Sequence, residues 1–304
     1  MNKLPGLALL VLLLAIVKCA QADDAQTSPT ASLASVVMGS RSLADEWTPV
    51  PGSPLKTYKQ NYFLLSHNAS PNNAPTSPNP QDQVPFTYPL DHKEIKFQIS
   101  IKSDLFDITR RQTIWVGYSQ LSFWQIFDTE HSNPFRESDY EPEIIYSYRP
   151  SKGRFAGMAV SFINGGLEHQ SNGQSLPRSR GWNRMYVQVG LERDFGDSGR
   201  LALLPRYWKR LGGGGPRDDN PDILDYMGHG DLELRYYHGH SMLSAIARIR
   251  AIQLDLSLPL RIFDIKNADL HLQYFHGYGE SLIDYNQKHT TLGIGISMPF
   301  EDSY

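Results

Sequence analysis

The sequence has almost no cysteine and only one long hydrophobic run. The single cysteine, Cys19, lies in the first 22 residues, so the rest of the chain has neither a disulfide nor a thiol nucleophile. The hydrophobic run, residues 5–17, is too short for a transmembrane helix, follows Lys3 and precedes small residues at 20–22. This order predicts a secretory signal peptide over 1–22, and hence a secreted mature chain that folds without disulfides.

The chain also lacks a strong excess of either charge. It has 29 basic and 32 acidic residues, and this balance predicts no nucleic-acid partner. Because no second long hydrophobic run exists, the sequence excludes helical membrane spans. It does not exclude a membrane β-barrel, whose strands are apolar on one face only.

Two stretches show no hydrophobic period. Residues 23–57 are rich in Ser, Thr, Ala, Asp and Pro, and we expect them to form a flexible N-terminal tail. Residues 67–85 are dense in Asn and Pro, which predicts a long loop. We assign the remaining residues, 58–304, to one domain.

From about Lys93 onward, hydrophobic residues recur at every second position. This period is typical of strands with one apolar and one polar face. About twelve segments show it, near residues 58–66, 94–103, 112–122, 141–149, 155–169, 182–194, 200–210, 225–238, 242–250, 251–261, 268–279 and 289–300.

Two all-β architectures fit this alternation, a soluble sandwich and a membrane barrel. In a sandwich the charged faces would point to bulk water, whereas in a membrane barrel they would line the interior. The even number of segments and the aromatic residues near their ends favour the barrel. The charged positions are Lys96, Lys102, Asp231, Glu233, Arg235 and Asp255, and the aromatic ones are Trp115, Trp124, Trp182, Tyr186, Tyr207, Trp208, Tyr274, Phe275 and Tyr278. We predict a twelve-stranded antiparallel transmembrane β-barrel.

A possible nucleophile lies in the stretch from Glu168 to Tyr186. His169 and Ser171 are two residues apart, so on a strand they share a face at about 6–7 Å. A hairpin would bring Asn183 beside His169, with serine as nucleophile, histidine as base and the amide oxygen orienting the ring. His-x-Ser pairs are common, however, and a polar stretch rich in Ser, Asn and Gly is usually only a loop, so from this spacing alone the plain loop is the stronger interpretation.

The alternation also predicts which way this site faces. Asn183 shares a strand face with Met185 and Val187, which is the lipid side of a barrel. On the preceding strand Val160 and Phe162 are out of phase with His169. A β-bulge near residues 165–166 would correct the phase, and we predict one there.

The stretch "HQSNGQSLPRSRGWNR", residues 169–184, resembles the signature of the outer-membrane phospholipase A family of Gram-negative bacteria. Residues 118–125, 132–143, 218–228 and 277–286 continue the resemblance in the same order. The resemblance implies a barrel in the bacterial outer membrane that hydrolyses acyl esters of phospholipids and lysophospholipids, as a phospholipase A1/A2. It further implies dependence on Ca²⁺ and an active homodimer on a membrane phospholipid substrate.

The resemblance also assigns roles to single residues. It implies that His169 is the base, Ser171 the nucleophile and Asn183 the residue that orients the base. Gln120 would support Asn183, and the Gly173 N–H would help hold the oxyanion. A non-catalytic outer-membrane barrel of porin or adhesin type is the alternative.

By the same resemblance, calcium would bind the Ser179 hydroxyl and the main-chain carbonyl of Gln174, and the partner chain would add the carbonyl of its Ser132. Relatives carry an acid where this chain has Leu176, and that acid would form a second calcium site with Asp219. Leu176 cannot bind calcium, so whether the second site exists stays open. The residues Asp218, Asp219 and Asp222 equally fit a plain acidic loop.

Overall fold

The computed structural model describes residues 42–52, 55–82, 88–260 and 268–299. The predicted signal peptide, 1–22, and residues 23–41 of the predicted tail lie outside these ranges. No helix within them is long and apolar enough to cross a membrane. The strands are β1 (Lys56–Thr57), β2 (Tyr62–Asn68), β3 (Lys93–Thr109), β4 (Gln112–Trp124), β5 (Phe135–Tyr148), β6 (Arg154–Phe155), β7 (Met158–Ser171), β8 (Gly181–Asp194), β9 (Arg200–Leu211), β10 (Gly230–His238), β11 (Ser241–Arg248), β12 (Ala251–Pro259), β13 (Asp269–Tyr278) and β14 (Lys288–Ser297), and the helices are α1 (Leu43–Glu46) and α2 (Ile223–Met227).

The strands form one closed antiparallel sheet. Its order runs β3-β2-β14-β13-β12-β11-β10-β9-β8-β7-β5-β4, and the pairing of β3 with β4 closes the ring. The short strands β1 and β6 pair with β3 and β7 respectively. The predicted twelve-stranded barrel is therefore confirmed.

The two ends of the barrel differ in the length of their connections. One end, which we call the long-loop end, contains residues 69–82, 88–92, 125–134, 172–180, 212–229 and 279–287. The opposite, short-turn end contains tight connections such as 110–111, 195–199 and 239–240. Outer-membrane barrels typically have short periplasmic turns and long extracellular loops, so in a barrel of that kind the short-turn end would face the periplasm.

Strand alternation separates an apolar outer wall from a charged lumen. Leu292, Ile294 and Ile296 of β14 are more than half exposed on the outside. Inside, Lys96 is 2% exposed and lies 2.8 Å from the Glu280 carboxylate. Buried charges need such partners, because an isolated one carries a large desolvation penalty. The prediction that charged side chains line the interior is confirmed.

The expected aromatic girdle is only partly correct. Trp124, Tyr207, Tyr274 and Tyr278 are half-buried on outward-facing strand positions. The other five predicted members are buried and face the lumen, namely Trp115, Trp182, Tyr186, Trp208 and Phe275. Position near a strand end does not decide between lipid and lumen, since that choice follows the parity of each residue along its strand.

The predicted flexible tail is wrong for its described part. Ser42 caps α1 through a hydrogen bond from the Ala44 N–H, and β1 pairs with β3. Leu43 and Trp47 are 0% and 2% exposed inside the barrel at the short-turn end. Their burial provides apolar contact that composition alone could not reveal, because their partners come from strands far along the chain.

Substitutions at two adjacent glycines of β7 test which face of this strand points into the lumen. A Cβ on Gly166 would lie 2.4 Å from the Tyr186 ring in the lumen, whereas one on Gly165 would meet nothing closer than 3.9 Å. We expect Gly166→Ala to lower the free energy of unfolding by about 1–3 kcal/mol through overpacking. Gly165→Ala, the matched control, should leave it nearly unchanged. Urea unfolding in detergent measures both, and equal losses would contradict the assignment of faces.

Candidate active site

A bulge in β7 turns the catalytic candidates outward. Val160 pairs with Leu191 and Phe162 pairs with Gly190, so Ser161 is an extra residue. The bulge reverses the parity of the strand, with Val160 outside, Phe162 in the lumen and His169 outside. The structure thus contains the expected bulge, but earlier than residues 165–166. Gly166 instead makes room for the Tyr186 ring.

Three side chains meet on the outer wall at the long-loop end of β7 and β8. His169 pairs directly with Asn183, and its Nδ1 lies 2.8 Å from the Asn183 Oδ1. Its Nε2 lies 3.0 Å from the Ser171 Oγ. An amide oxygen only accepts hydrogen bonds, so Nδ1 carries the ring proton in this pair. The unprotonated Nε2 is then free to accept the serine proton, as a general base must.

Lumen contacts behind the site hold the two strands in register. Arg184 donates to Glu168, its direct neighbour across the pair. The Gln170 Oε1 accepts from the Trp182 Nε1 at 2.8 Å. These four side chains are buried and alternate with the outward-facing triad candidates. The inner face of the hairpin therefore fixes the alignment on which the outer contacts depend.

Gly173 follows Ser171 in a turn that suits an oxyanion donor. Its φ is +63°, and a Cβ there would lie 3.2 Å from the Tyr140 ring. Both features favour glycine at this position. In the part of the chain that the structure describes, the Gly173 N–H has no hydrogen-bond acceptor. It is one main-chain donor close to the candidate nucleophile.

Asn172 organises the same turn, and sequence reasoning missed it. Its Oδ1 accepts from the Arg180 N–H at 2.9 Å, and its Nδ2 donates to the Arg178 carbonyl at 2.8 Å. Asn220 adds an anchor by accepting from the Gly181 N–H at 2.9 Å. The signal for Asn172 was its place directly before a glycine at the end of a strand, where asparagine side chains commonly bond the backbone.

The structure brings two of the predicted metal ligands together. The Ser179 hydroxyl donates to the Asp219 carboxylate. Gln174 is exposed in the turn that contains Ser179, and Ser132 is exposed in the 125–134 loop of the same barrel end. Within the described ranges no group of three acidic, histidine or cysteine side chains is placed to hold a metal. A cation here would depend on hydroxyl and carbonyl oxygens, which calcium accepts.

Asp82 is a further acidic residue beside this cluster. It is fully buried, neither carboxylate oxygen accepts a hydrogen bond within the described residues, and Arg180 lies 3.7 Å away. Burial raises the pKa of Asp82, the Arg180 charge opposes this rise, and Asp219 adds to it. Carboxylate oxygens that accept no hydrogen bond are suited to a position near a hard cation such as calcium. The sequence placed Asp82 only in a long loop.

The other two aspartates of the acidic stretch are structural. Asp218 accepts from Arg210 and from the Gly214 N–H, both at 2.6 Å. Burial opposes ionisation of Asp218, but these donors outweigh it and lower its pKa. Asp222 accepts from the Tyr285 hydroxyl. Of the three, Asp219 alone contacts the turn after β7.

The expected support of Asn183 by Gln120 requires correction. Gln120 accepts from the Tyr118 hydroxyl at 3.0 Å and donates to Ser122 at 3.0 Å. It lies on β4, and β5 and β7 separate that strand from Asn183 on β8. Neighbouring strands are about 4.8 Å apart, so a contact across two intervening strands is out of reach.

The sequence matches known proteins over most of its length. A family model described as phospholipase A1 matches residues 46–298. The phospholipase A1 of Escherichia coli K12 is 36% identical over 213 residues, which cover 67% of this chain and 69% of that protein. A protein of Neisseria meningitidis serogroup B, provisionally named phospholipase A1, is 39% identical over 252 residues. That match covers 78% of this chain and 63% of the relative, so the chain spans less than two thirds of its length.

Two solved structures resemble the barrel. The crystal structure of the Salmonella typhi outer membrane phospholipase dimer with bound calcium has a TM-score of 0.72 at 30% identity, covering 84% of this chain and 97% of that chain. Outer membrane phospholipase A from Escherichia coli has a TM-score of 0.69 at 31% identity, covering 80% of this chain and 94% of that chain.

Proposed function

Because the chain belongs to the phospholipase A1 family, we propose that it is a calcium-dependent phospholipase of the bacterial outer membrane. It hydrolyses the acyl esters of phospholipids and lysophospholipids. The observation that carries this proposal is the hydrogen-bonded chain from Asn183 through His169 to Ser171, at 2.8 and 3.0 Å. Residues 1–22 would direct export as a cleaved signal peptide.

The position of the three residues suits a lipid substrate. His169 and Asn183 are exposed on the outer wall, and their outward neighbours Leu167 and Met185 are 57% and 47% exposed. An ester at the membrane boundary would meet Ser171 while its acyl chain lies along these apolar side chains. A water-soluble substrate without an acyl chain would make no favourable apolar contact with these side chains.

The hydrolysis proceeds in two steps. The Ser171 Oγ attacks the ester carbonyl carbon while its proton moves to the His169 Nε2. The Gly173 N–H donates to the oxyanion that forms. The tetrahedral species then expels the glycerol oxygen, which takes the proton from Nε2, and the acyl group stays on Ser171. A water molecule attacks this acyl ester with His169 again as base, which releases the fatty acid and the free serine.

Ser179, Asp219 and the Gln174 carbonyl would hold calcium in one protomer, and the partner subunit's Ser132 would complete the set. Calcium, when bound, would supply positive charge beside the developing oxyanion. The Salmonella typhi relative is a dimer with bound calcium, which supports extending both properties to this chain. A ligand contributed by a second protomer would link activity to homodimer formation.

The test is fatty-acid release from mixed micelles of phosphatidylcholine by the purified protein, with calcium or with a chelator. We expect release with calcium only, and release from lysophosphatidylcholine as well. No release from either lipid with calcium would favour the alternative, a non-catalytic barrel of porin or adhesin type. A porin would need an open lumen, whereas this lumen contains buried ion pairs and aromatic clusters in its described part.

Asn183 should contribute less than His169 to the rate. We expect Asn183→Ala to lower kcat by roughly 10- to 100-fold, against roughly 10⁵-fold for His169→Ala, because a neutral amide orients the ring but hardly stabilises the imidazolium. Asn183→Asp, which keeps the acceptor and adds charge, should remain active. Steady-state rates of fatty-acid release measure all three, and similar losses for the two alanine variants would contradict this assignment of roles.

A further inference from the structure

The segment before the barrel enters the lumen at the short-turn end. Residues 42–52 include α1, and the segment turns inward so that Leu43 and Trp47 are almost fully buried. They join a lumen cluster with Trp115, Ile145 and Phe162. Such an apolar cluster in a charged lumen excludes water locally.

Trp47 occupies a site formed by aromatic rings and one lysine. Its ring centroid lies 5.9 Å from that of Trp115, 5.3 Å from that of Phe162 and 5.7 Å from that of Tyr58. The Lys102 Nζ lies 3.4 Å from the Trp47 centroid and has no hydrogen-bond acceptor among the described residues. Its Nζ therefore lies against the faces of aromatic rings, in the geometry of a cation–π contact.

Polar contacts fix the backbone of the segment. The Lys56 Nζ donates to the carbonyls of Asp45 and Thr48 at 2.9 and 2.7 Å. Arg149 donates to the Trp47 carbonyl. These bonds hold main-chain carbonyls at and just beyond the C-terminal end of the short helix.

The segment also lines a cavity in the lumen. The cavity has a volume of 210 Å³, and its lining includes Glu46, Trp47, Arg206, Asp231 and Ser244. Toward the long-loop end, Trp182, Trp208, Leu282 and Tyr285 form a second apolar cluster with residues of α2. Apolar clusters therefore lie on both sides of the polar middle of the barrel.

We propose that residues 42–52 form a stopper that closes the periplasmic mouth of the barrel against water and ions, with Trp47 and Lys102 as its principal contacts. The inner surface of the mouth is thus a docking surface, and its occupant is the chain's own N-terminal segment. This role is separate from ester hydrolysis, since the triad lies at the opposite end of the barrel.

A single reporter thiol tests the stopper. Ser244 lines the cavity and is 3% exposed, and Ser244→Cys in a Cys19→Ser background gives the protein one cysteine. In the refolded full chain we expect slow labelling by a charged methanethiosulfonate. Adding Trp47→Ala should raise the labelling rate roughly 100-fold, because loss of a buried tryptophan favours local opening. Trp124→Ala, on the outer wall, is the matched control and should leave the rate unchanged.

Lys102→Met provides a second variant that keeps side-chain length. We expect it to raise the labelling rate roughly tenfold, through loss of the cation–π contact. Fatty-acid release by each variant reports whether the barrel is folded, and labelling itself does not require hydrolysis. Rates equal to the parent in both Trp47→Ala and Lys102→Met would overturn the stopper, and so would an equal increase in Trp124→Ala.

Discussion

Replacing Ser171 with alanine will lower the rate of calcium-dependent fatty-acid release by roughly 10⁵- to 10⁶-fold. The substitution removes the hydroxyl oxygen that lies 3.0 Å from the His169 Nε2 and that His169 is placed to activate. Residual hydrolysis would depend on the oxyanion donor and substrate binding alone. The double variant Ser171→Ala/His169→Ala should be no slower than Ser171→Ala, because the two residues act as one unit.

The chain offers a matched control for this prediction. In the lumen, the Ser257 Oγ lies 3.0 Å from the His271 Nδ1, and the His271 Nε2 lies 3.0 Å from the Asp255 carboxylate. This arrangement repeats a serine–histidine–acid contact pattern, but Ser257 is 2% exposed and His271 is 0% exposed. A lipid ester cannot reach them, so Ser257→Ala should leave the rate of hydrolysis nearly unchanged.

Comparing the hydrolysis rates of Ser171→Ala and Ser257→Ala also shows whether the chemistry takes place on the outer wall or in the lumen. Equal turnover by the parent and Ser171→Ala would end the proposed mechanism. A large loss in Ser257→Ala with normal Ser171→Ala would move the chemistry into the lumen. Intact folding of each variant can be checked by the shift in electrophoretic mobility on heating.

Removing calcium will have the second large effect. We expect a chelator to lower the rate of hydrolysis by roughly 10²- to 10⁴-fold, since a metal that stabilises transition-state charge contributes several kcal/mol. The residues that would hold it present oxygen atoms, including the Ser179 hydroxyl and the Asp219 carboxylate that it contacts. Restoring calcium should restore the rate, and magnesium should not, because magnesium demands a stricter octahedral geometry.

Single substitutions in the turn after β7 connect this effect to the site. Ser179→Ala should raise the calcium concentration needed for half-maximal hydrolysis by at least roughly tenfold. Ser175→Ala is the matched control, because Ser175 is an exposed serine of the same turn. Hydrolysis that is insensitive to the chelator, or equal calcium requirements for the two variants, would contradict the proposed ligand set.

Much of the fold could be predicted because it depends on local alternation. A strand that separates lipid from a charged lumen must change polarity at every residue, so twelve such segments were visible without any knowledge of pairing. The outward position of Asn183 followed from the same parity, since Met185 is two residues further along. The candidate triad residues were found through a long signature, whereas their spacing alone favoured a plain polar loop.

Other features depended on contacts between distant segments. Gln120 was misassigned because strand order, and not sequence motif, sets its distance from Asn183. Asp82 was overlooked because its neighbour Arg180 follows it by nearly a hundred residues. The aromatic residues at strand ends were divided between lumen and lipid by parity, which must be traced strand by strand.

By itself, the sequence determined the strand periodicity, the apolar wall and the residue types of the triad, because each of these is written in neighbouring positions. Only the tertiary structure decided where β7 bulges, which glycine accommodates Tyr186 and where Trp47 packs. The physical reason is that a bulge or a buried ring is stabilised by partners on other strands, which the local sequence does not reveal. The bulge at Ser161 turns His169 outward. The Ser161 hydroxyl donates a hydrogen bond to the Glu192 carboxylate on the adjacent strand β8.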